Sequence, residues 1–193
     1  MEEKEKMKLG LWYDANYDQD IVKERLIAQD LCFQLNQVRP VEEQKRKAIL
    51  KELLHDEPQD LVLLSPFQCD YGKNIHFGHD VFVNMNCYFM DGAPITIGHH
   101  VFFGPYCGLY TATHPLDHQR RNQGLEKALP IIIKDNCWLG ANVSVMPGVT
   151  IGEGCVIGAG SVVTHDIPDF SLASGVPCRV MKKLNEGGEN HVL

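Results

Sequence analysis

The sequence predicts a mainly β protein: a parallel β-solenoid with a six-residue repeat, preceded by a short helical segment. From residue 131 to residue 167 an apolar residue returns at every sixth position, with one serine as the exception, and a second apolar row runs two places further on. Helices repeat every 3.6 residues and strands every two, so a period of six indicates short flat strands joined by tight corners. The rows are Ile131, Cys137, Val143, Val149, Cys155, Ser161 and Ile167, and Ile133, Leu139, Val145, Ile151, Ile157 and Val163.

The first part of the chain, residues 1–60, has a helical period instead. Apolar side chains recur at helical spacing over residues 21–36 and again over residues 40–55, where Pro40 stands near the start of the pattern. Each stretch predicts an amphipathic helix whose charged residues form a solvated face. We therefore expect a helical N-terminal segment that is distinct from the repeat region.

The repeat region begins with an apolar run. Residues 61–71 are predicted to form the first strands, and the six-residue lattice starts at Ile75. A step of eight from Cys87 to Ile95 inserts two residues and predicts one bulged corner. Residues 113–130 are polar and out of phase, so they are expected to leave the solenoid as an excursion loop, and loops on a rigid repeat scaffold often bind ligands.

The lattice is expected to end shortly after Ile167. Pro168 and Pro177 follow it, and proline interrupts the backbone hydrogen bonds of regular strands. The predicted solenoid domain spans residues 61–184, and residues 185–193 are expected to be a flexible tail.

Composition excludes several classes of partner. The net charge is -7 and the pI is about 5.7, and no basic run is longer than QKRK, so neither nucleic acid nor an anionic membrane surface is expected to bind. No stretch approaches the roughly 20 apolar residues that span a bilayer. The N-terminal MEEKEKMK is charged where a signal peptide would be apolar. These features predict a cytoplasmic protein that acts on small neutral molecules.

The seven cysteines indicate packing rather than disulfides or zinc. Cys87, Cys107, Cys137 and Cys155 all fall in the inward-facing row of the repeat, where a thiol acts as a small apolar group. No CxxC pair is present, and the count is odd.

Residues 131–182, which include GEGCVIGAGSVVTHDIP and GVPCRV, resemble the hexapeptide-repeat acetyltransferases, and within them the maltose and galactoside O-acetyltransferase group. The resemblance implies a left-handed parallel β-helix of hexapeptide repeats with an N-terminal helical segment. It also implies acetyl-CoA as co-substrate, a sugar as acetyl acceptor and no requirement for a metal. A homotrimer with active sites between neighbouring subunits is implied as well.

The transfer of an acetyl group from a thioester to a hydroxyl requires a base for the hydroxyl proton. His114, in the sequence THPLD, matches the catalytic histidine of the family. The resemblance therefore implies that His114 is the general base.

Acceptor binding is assigned by the same resemblance. Asn84 and Asp91 match the family pattern NxNCxxxD, whose polar groups bind acceptor hydroxyls, although solenoid corners also use Asn and Asp for turns. Asp14 and Asp70 match further acceptor positions; Asp14 has an equally simple interpretation as a turn or helix-capping residue. Trp138 is a large outward residue that is expected to wall the acceptor pocket or to contact the neighbouring subunit.

Coenzyme A needs a long groove, which a stacked solenoid provides along its length. Small residues let backbone amides contact the pantetheine arm, and basic residues meet phosphates. His165 stands where relatives often have Lys. The resemblance assigns to the donor site Gly140, Ala141, Ala159, Thr164, His165, Arg179 and Lys182.

Two other functions are compatible with the pattern. His79 and His99 occupy the same place in neighbouring repeats, with His76 and His100 nearby, so the solenoid could hold a metal as the γ-class carbonic anhydrases do. A scaffold without catalysis is the third hypothesis. The sequence leaves open which hydroxyl compound is acetylated.

Overall fold

The computed structural model describes residues 1–184 and shows a parallel solenoid with three flat sides. Each side is a sheet, and successive strands along the chain pass from sheet 1 to sheet 2 to sheet 3 and back to sheet 1. The period of six therefore corresponds to one strand and one corner, and the predicted solenoid architecture is confirmed.

Four helices and nineteen strands make up the described chain. The helices are α1 (Glu3–Lys8), α2 (Gln19–Gln37), α3 (Glu43–Leu54) and α4 (His118–Arg121). A small antiparallel sheet, in the order β1-β11-β10, contains β1 (Tyr13–Asp14), β10 (Ala112–Thr113) and β11 (Leu125–Ala128). Sheet 1 contains β4 (Ile75–Phe77), β7 (Ile95–Ile97), β12 (Ile131–Ile133) and β15 (Thr150–Ile151). Sheet 2 contains β2 (Val62–Leu63), β5 (Phe82–Val83), β8 (Phe102–Phe103), β13 (Trp138–Leu139), β16 (Val156–Ile157), β18 (Ser171–Gly175) and β19 (Cys178–Lys183). Sheet 3 contains β3 (Phe67–Cys69), β6 (Cys87–Met90), β9 (Gly108–Tyr110), β14 (Ser144–Val145) and β17 (Val162–Val163).

Both apolar rows point into the solenoid. Every member of the two rows in residues 131–167 is at most 5% exposed, and this includes Ser161, whose hydroxyl donates to the carbonyl of Gly158. All seven cysteines are buried and unpaired. Burial of each Val, Leu or Ile side chain stabilises the fold by roughly 1.5–3 kcal/mol, so stacked coils share one continuous core.

The N-terminal helices cover the first coil. The periodicity predicted α2 and α3, but it gave no indication of α1. The side chain of Asn36 on α2 makes two hydrogen bonds with the backbone of Phe67. Its amide donates to the Phe67 carbonyl, and its oxygen accepts from the Phe67 N–H, each at 2.9 Å. This contact satisfies the backbone groups of an edge strand that would otherwise be open to pairing.

Among residues 1–184 no helix is long and apolar enough to cross a membrane.

One further parallel strand follows the point at which the six-residue lattice was predicted to end. Strand β18 pairs in parallel with β16, and β19 then turns back and pairs antiparallel with β18. The expectation that regular rungs stop after Ile167 is therefore wrong, because Pro168 and Pro177 lie in the connections and remove no ladder hydrogen bond. The predicted tail, residues 185–193, lies outside the described residues.

Three corners join the sheets. The histidine corner joins sheet 1 to sheet 2 and includes residues 78–80 and 98–100. The glycine corner joins sheet 2 to sheet 3 and includes Asn84 and residues 104–105, 140–141 and 158–159. The excursion corner joins sheet 3 to sheet 1, and its members are residues 70–74, 91–94, 111–130, 146–148 and 164–166.

Candidate active site

His114 lies on the excursion corner, just after β10. Its Nδ1 is 2.9 Å from the carbonyl oxygen of Leu125. A carbonyl can only accept, so Nδ1 carries the proton in this contact and Nε2 of the neutral ring keeps its lone pair. The side chain is 47% exposed. This geometry leaves a basic nitrogen on a half-exposed side chain.

The excursion itself holds the histidine in place. Strands β10 and β11 form an antiparallel pair, and β11 in turn pairs with β1, with Asp14 opposite Leu125. Helix α4 begins at His118 and is capped by Asp117, whose carboxylate accepts from the N–H of Arg120 and so satisfies a free helix amide. The guanidinium of Arg121 donates to the carbonyls of Pro115 and Leu116. The loop is therefore tied at both ends.

Glu126 is a functional candidate that the sequence analysis missed. Its Oε2 lies 3.9 Å from Nε2 of His114, and its Oε1 accepts a hydrogen bond from the hydroxyl of Tyr13. Burial raises the pKa of the Glu126 carboxyl. No repeat or motif marks Glu126, because its partner Tyr13 is 113 residues away in the chain.

Asp14 lies beside the excursion on β1. Its Oδ1 accepts from the N–H groups of Asn16 and Tyr17, at 3.1 and 2.9 Å, so this oxygen closes a turn. The turn interpretation and the proximity to the site both hold for Asp14.

Asp70 and Asp91 stack on adjacent coils of the same corner. Asp91 is fully buried, and its Oδ1 accepts from the N–H groups of Asp70 and Tyr71, at 2.9 and 2.8 Å. Burial raises the pKa of Asp91 to about 6. Burial also raises the pKa of Asp70, whose carboxylate accepts from the hydroxyl of Tyr88. Within residues 1–184, Oδ2 of Asp91 and the hydroxyl of Tyr71 are buried without a hydrogen-bond partner.

Asn84 lies on a different corner, the glycine corner. Its Oδ1 accepts from the N–H of Met85 at 2.8 Å, so Nδ2 is the group that it can offer to another molecule. Asn84 and Trp138 line one open depression together with Phe82 and Phe102. Trp138 projects outward from sheet 2 and is 47% exposed.

The proposed donor residues divide between two corners. Gly140, Ala141 and Ala159 stack on the glycine corner, where a Cβ on Gly140 would lie 2.7 Å from the backbone nitrogen of Ala159. Only glycine permits that approach, which brings the backbones of two coils together.

The other four residues predicted to bind the donor lie on the last coils of the solenoid. Arg179 pairs with Ser174 at the end of the glycine corner, and Lys182 pairs with Leu172. Thr164 and His165 lie instead on the excursion corner, where the Thr164 hydroxyl and Nδ1 of His165 are 2.9 Å apart.

The predicted site residues of one chain therefore form two separate groups, each a candidate half-site. His114, Asp14, Asp70, Asp91, Thr164 and His165 share the excursion corner or its neighbourhood, whereas Asn84, Gly140, Ala141 and Ala159 share the glycine corner. Sheet 3 separates the two sets within one chain.

Together, a parallel solenoid with a six-residue repeat and an exposed histidine on a projecting loop define a hexapeptide-repeat transferase. Residues 130–165 match the family model described as bacterial transferase hexapeptide (six repeats). Residues 6–56 match the model of the maltose acetyltransferase hexapeptide capping motif.

Relatives that match nearly the whole chain identify its group within the hexapeptide-repeat transferases. A maltose O-acetyltransferase from Clostridium difficile 630 is 46% identical, with a TM-score of 0.93 over 96% of this chain and 99% of that one. A galactoside acetyltransferase in complex with coenzyme A is 35% identical, with a TM-score of 0.89 over 96% and 92%. A Staphylococcus aureus (strain MRSA252) relative, provisionally named an acetyltransferase, is 56% identical over 96% of this chain and 93% of its own. The chain belongs to the maltose and galactoside O-acetyltransferase group of the hexapeptide-repeat acetyltransferases, as the sequence analysis predicted.

A further relative has its donor bound. The hexapeptide-repeat acetyltransferase VCA0836 from Vibrio cholerae O1 biovar eltor was solved in complex with acetyl coenzyme A; it is 40% identical, with a TM-score of 0.87 over 96% of this chain and all of that one.

Proposed function

We propose that this chain is an O-acetyltransferase that moves the acetyl group of acetyl-CoA to a hydroxyl of a sugar. The observation that carries the proposal is the geometry of His114: Nδ1 is fixed on the carbonyl of Leu125, which leaves Nε2 as a base. Solved relatives that bind coenzyme A or acetyl coenzyme A support the donor. The names of the maltose and galactoside enzymes support a sugar acceptor.

The reaction is a direct transfer between two bound substrates. Nε2 of His114 takes the proton from the acceptor hydroxyl as its oxygen attacks the thioester carbonyl carbon. The carbon–sulfur bond then breaks, and the departing sulfur takes the proton back from His114, which leaves acetylated sugar and free coenzyme A. The partly buried carboxyl group of Glu126, 3.9 Å away, stabilises the transient imidazolium when it is ionised.

The acceptor is held by the acidic groups of the excursion corner. Sugar hydroxyls are both donors and acceptors, and a carboxylate oxygen is a strong acceptor. Asp70 and Asp14 are only partly buried and can therefore reach a sugar hydroxyl. Asp91 is fully buried, and its Oδ1 accepts from the N–H groups of Asp70 and Tyr71, so its role is to position Asp70.

The donor lies along the glycine corner in this proposal. Gly140, Ala141 and Ala159 leave backbone groups accessible to the pantetheine arm, and Arg179 and Lys182 attract the phosphates at the end of the groove.

A second copy of the chain completes each site. Sheet 2 presents an apolar outer face: Phe102 is 52% exposed, Trp138 47% and Val62 47%. Such a face is typical of a subunit interface. A closed symmetric trimer would bury it and place the glycine corner of one subunit against the excursion corner of the next.

We also place the enzyme in the cytoplasm, where seven unpaired thiols remain reduced.

The test is thiol release from acetyl-CoA across a panel of sugars, with wild type and His114→Ala side by side. We expect sugar-dependent release by wild type and a kcat that is roughly 10²–10⁴-fold lower in His114→Ala, with coenzyme A binding nearly unchanged. Equal turnover by the variant would remove His114 from the role of base. If wild type releases no thiol with any sugar, the proposed function fails and the scaffold hypothesis gains weight.

A further inference from the structure

The histidine corner brings three metal-ligating side chains together away from the proposed active site. The ligand atoms of His79, Asp80 and His100 all lie within 4.8 Å of one another. Nδ1 of His79 is 2.6 Å from Oδ2 of Asp80, and Nδ1 of His100 is 3.6 Å from the same oxygen. About half of each side chain is exposed, so the group is open to solvent.

The solenoid lattice itself creates this group. The N–H of His100 donates to the carbonyl of His79 at 3.0 Å, so the two residues belong to adjacent coils. Asp80 and His100 occupy the same place in successive coils and share a left-handed backbone conformation, with φ of 55° and 54°. Their side chains therefore leave the corner in the same direction, one above the other.

His99 fixes the ring of His79. The two rings stack with centroids 4.0 Å apart, and Nδ1 of His99 accepts from the backbone N–H of His79 at 3.0 Å. The backbone of His99 is held in turn by Oδ1 of Asp135 on the next coil, at 2.8 Å. One ligand of the group is therefore held in position by its neighbours.

We propose that His79, Asp80 and His100 bind one divalent transition-metal ion of the zinc type. Two imidazoles and one carboxylate are ligands that Zn²⁺ prefers, and water would complete a tetrahedral shell. Zinc lies about 2.0–2.2 Å from such ligands, so donors that are now 2.6–4.8 Å apart need only small side-chain rotations. The half-exposed positions of the three side chains permit these rotations.

The role of this ion is to join two coils rather than to catalyse. His79 and His100 come from adjacent coils, and the histidine corner differs from both corners that carry the acetyl-transfer residues. A ligand that binds the folded chain and not the unfolded one raises its stability. Bound metal would thus stabilise the early coils, and acetyl transfer would proceed without it.

The test uses the tag-free, chelator-treated full chain and Zn²⁺ as the probe. Equilibrium dialysis and calorimetry measure the affinity, and thermal unfolding with and without Zn²⁺ measures the stabilisation. The variants are His100→Asn and Asp80→Asn. The matched control is His55→Asn, because His55 is also exposed and also left-handed, with φ of 54°, and asparagine tolerates that conformation.

We expect wild type and His55→Asn to bind about one Zn²⁺ per chain more tightly than the two variants, by roughly 10-fold or more, since each variant lacks a direct ligand. Zn²⁺ should raise the unfolding temperature of wild type and His55→Asn, and the shift should be lost in His100→Asn. Equal affinity in all four proteins, or no binding by wild type, would overturn the proposal. Thermal unfolding without Zn²⁺ shows whether each variant folds, so misfolding is not mistaken for loss of the site.

Discussion

Residues on the glycine corner are positioned by the coils directly above and below them, whereas groups on the excursion corner come from distant parts of the chain. Gly140 is fixed by the hydrogen bond from its N–H to the carbonyl of Ile157, one coil on. Glu126, in contrast, is held by Tyr13 across 113 residues. The glycine corner lets backbones approach closely and contains no charged side chain, whereas the excursion corner brings together carboxyl groups that are partly buried (Asp70 and Glu126) or fully buried (Asp91). In the proposed function the repeat thus supplies a groove, and the interruption of the repeat supplies the acid and base groups.

The sharpest test of this comparison asks whether the two corners act in different subunits. Co-expressed His114→Ala and Asn84→Ala chains should regain activity, because about a quarter of the sites in randomly mixed trimers contain both intact half-sites. Each variant alone should be nearly inactive. The control mixes His114→Ala with Asp91→Asn, which damage the same corner, so no site regains both groups. Equal recovery in both mixtures, or none in either, would contradict the division into half-sites.

The buried acid of the excursion corner should appear in the pH dependence of stability. Burial raises the pKa of Asp91 to about 6, so the folded chain holds this proton more tightly than the unfolded chain does. The proton on Asp91 therefore contributes to the free energy of unfolding. This contribution is fully present below the pKa of Asp91 in the unfolded chain, near pH 4, and is lost as the pH rises through about 6. The loss should approach about 3 kcal/mol.

Asp91→Asn removes that titration. Urea unfolding at several pH values between 4 and 7 should show the variant gaining stability relative to wild type as the pH rises. A difference between the two proteins that stays constant with pH would show that Asp91 is not the group responsible.

The stability contributed by the glycine corner should depend on side-chain volume rather than on pH. Gly140→Ala would place a methyl group 2.7 Å from the backbone of Ala159, and the coils must separate to admit it. We expect a loss of roughly 1–3 kcal/mol in urea unfolding and a higher KM for acetyl-CoA. Gly160→Asn is the control on the same corner, since a Cβ there meets nothing within 4 Å and asparagine accepts its φ of 73°. Similar losses in both variants would argue against close packing as the reason for Gly140.

The smallest expected effect concerns Glu126. Glu126→Gln keeps the oxygen that accepts from Tyr13 but removes the charge beside His114, so kcat should fall roughly 10-fold with KM nearly unchanged. Tyr13→Phe, which keeps the charge, should lower kcat less. A kcat equal to that of wild type in Glu126→Gln would show that the carboxylate does not assist the base.

The sequence predicted the repetitive part of the molecule well, because burial in a solenoid depends on residues six apart. The rows of Ile133 and Cys137, the two longer helices and the departure near residue 113 all follow from spacing. Spacing gave no indication of α1, α4 or β19, since short elements are stabilised by contacts that no period encodes.

The candidate site divides in the same way. His114 was assigned from a family motif and lies where a base must be accessible, although its role stays a prediction until it is tested. The role of Glu126 could not be predicted from the sequence, because its contact with Tyr13 depends on the pairing of β11 with β1. His79 and His99 were predicted to occupy the same place in neighbouring repeats, and the structure confirms this, because their rings stack with centroids 4.0 Å apart.

The buried thiols allow the unfolding of the protein to be followed without an added label. All seven cysteines are buried, so a disulfide-exchange dye should react with the native chain slowly and with the denatured chain at seven sulfurs. The same dye detects coenzyme A as it is released. Turnover can therefore be followed with little background from the enzyme, and a sudden rise in that background would mark the moment at which a damaged variant opens.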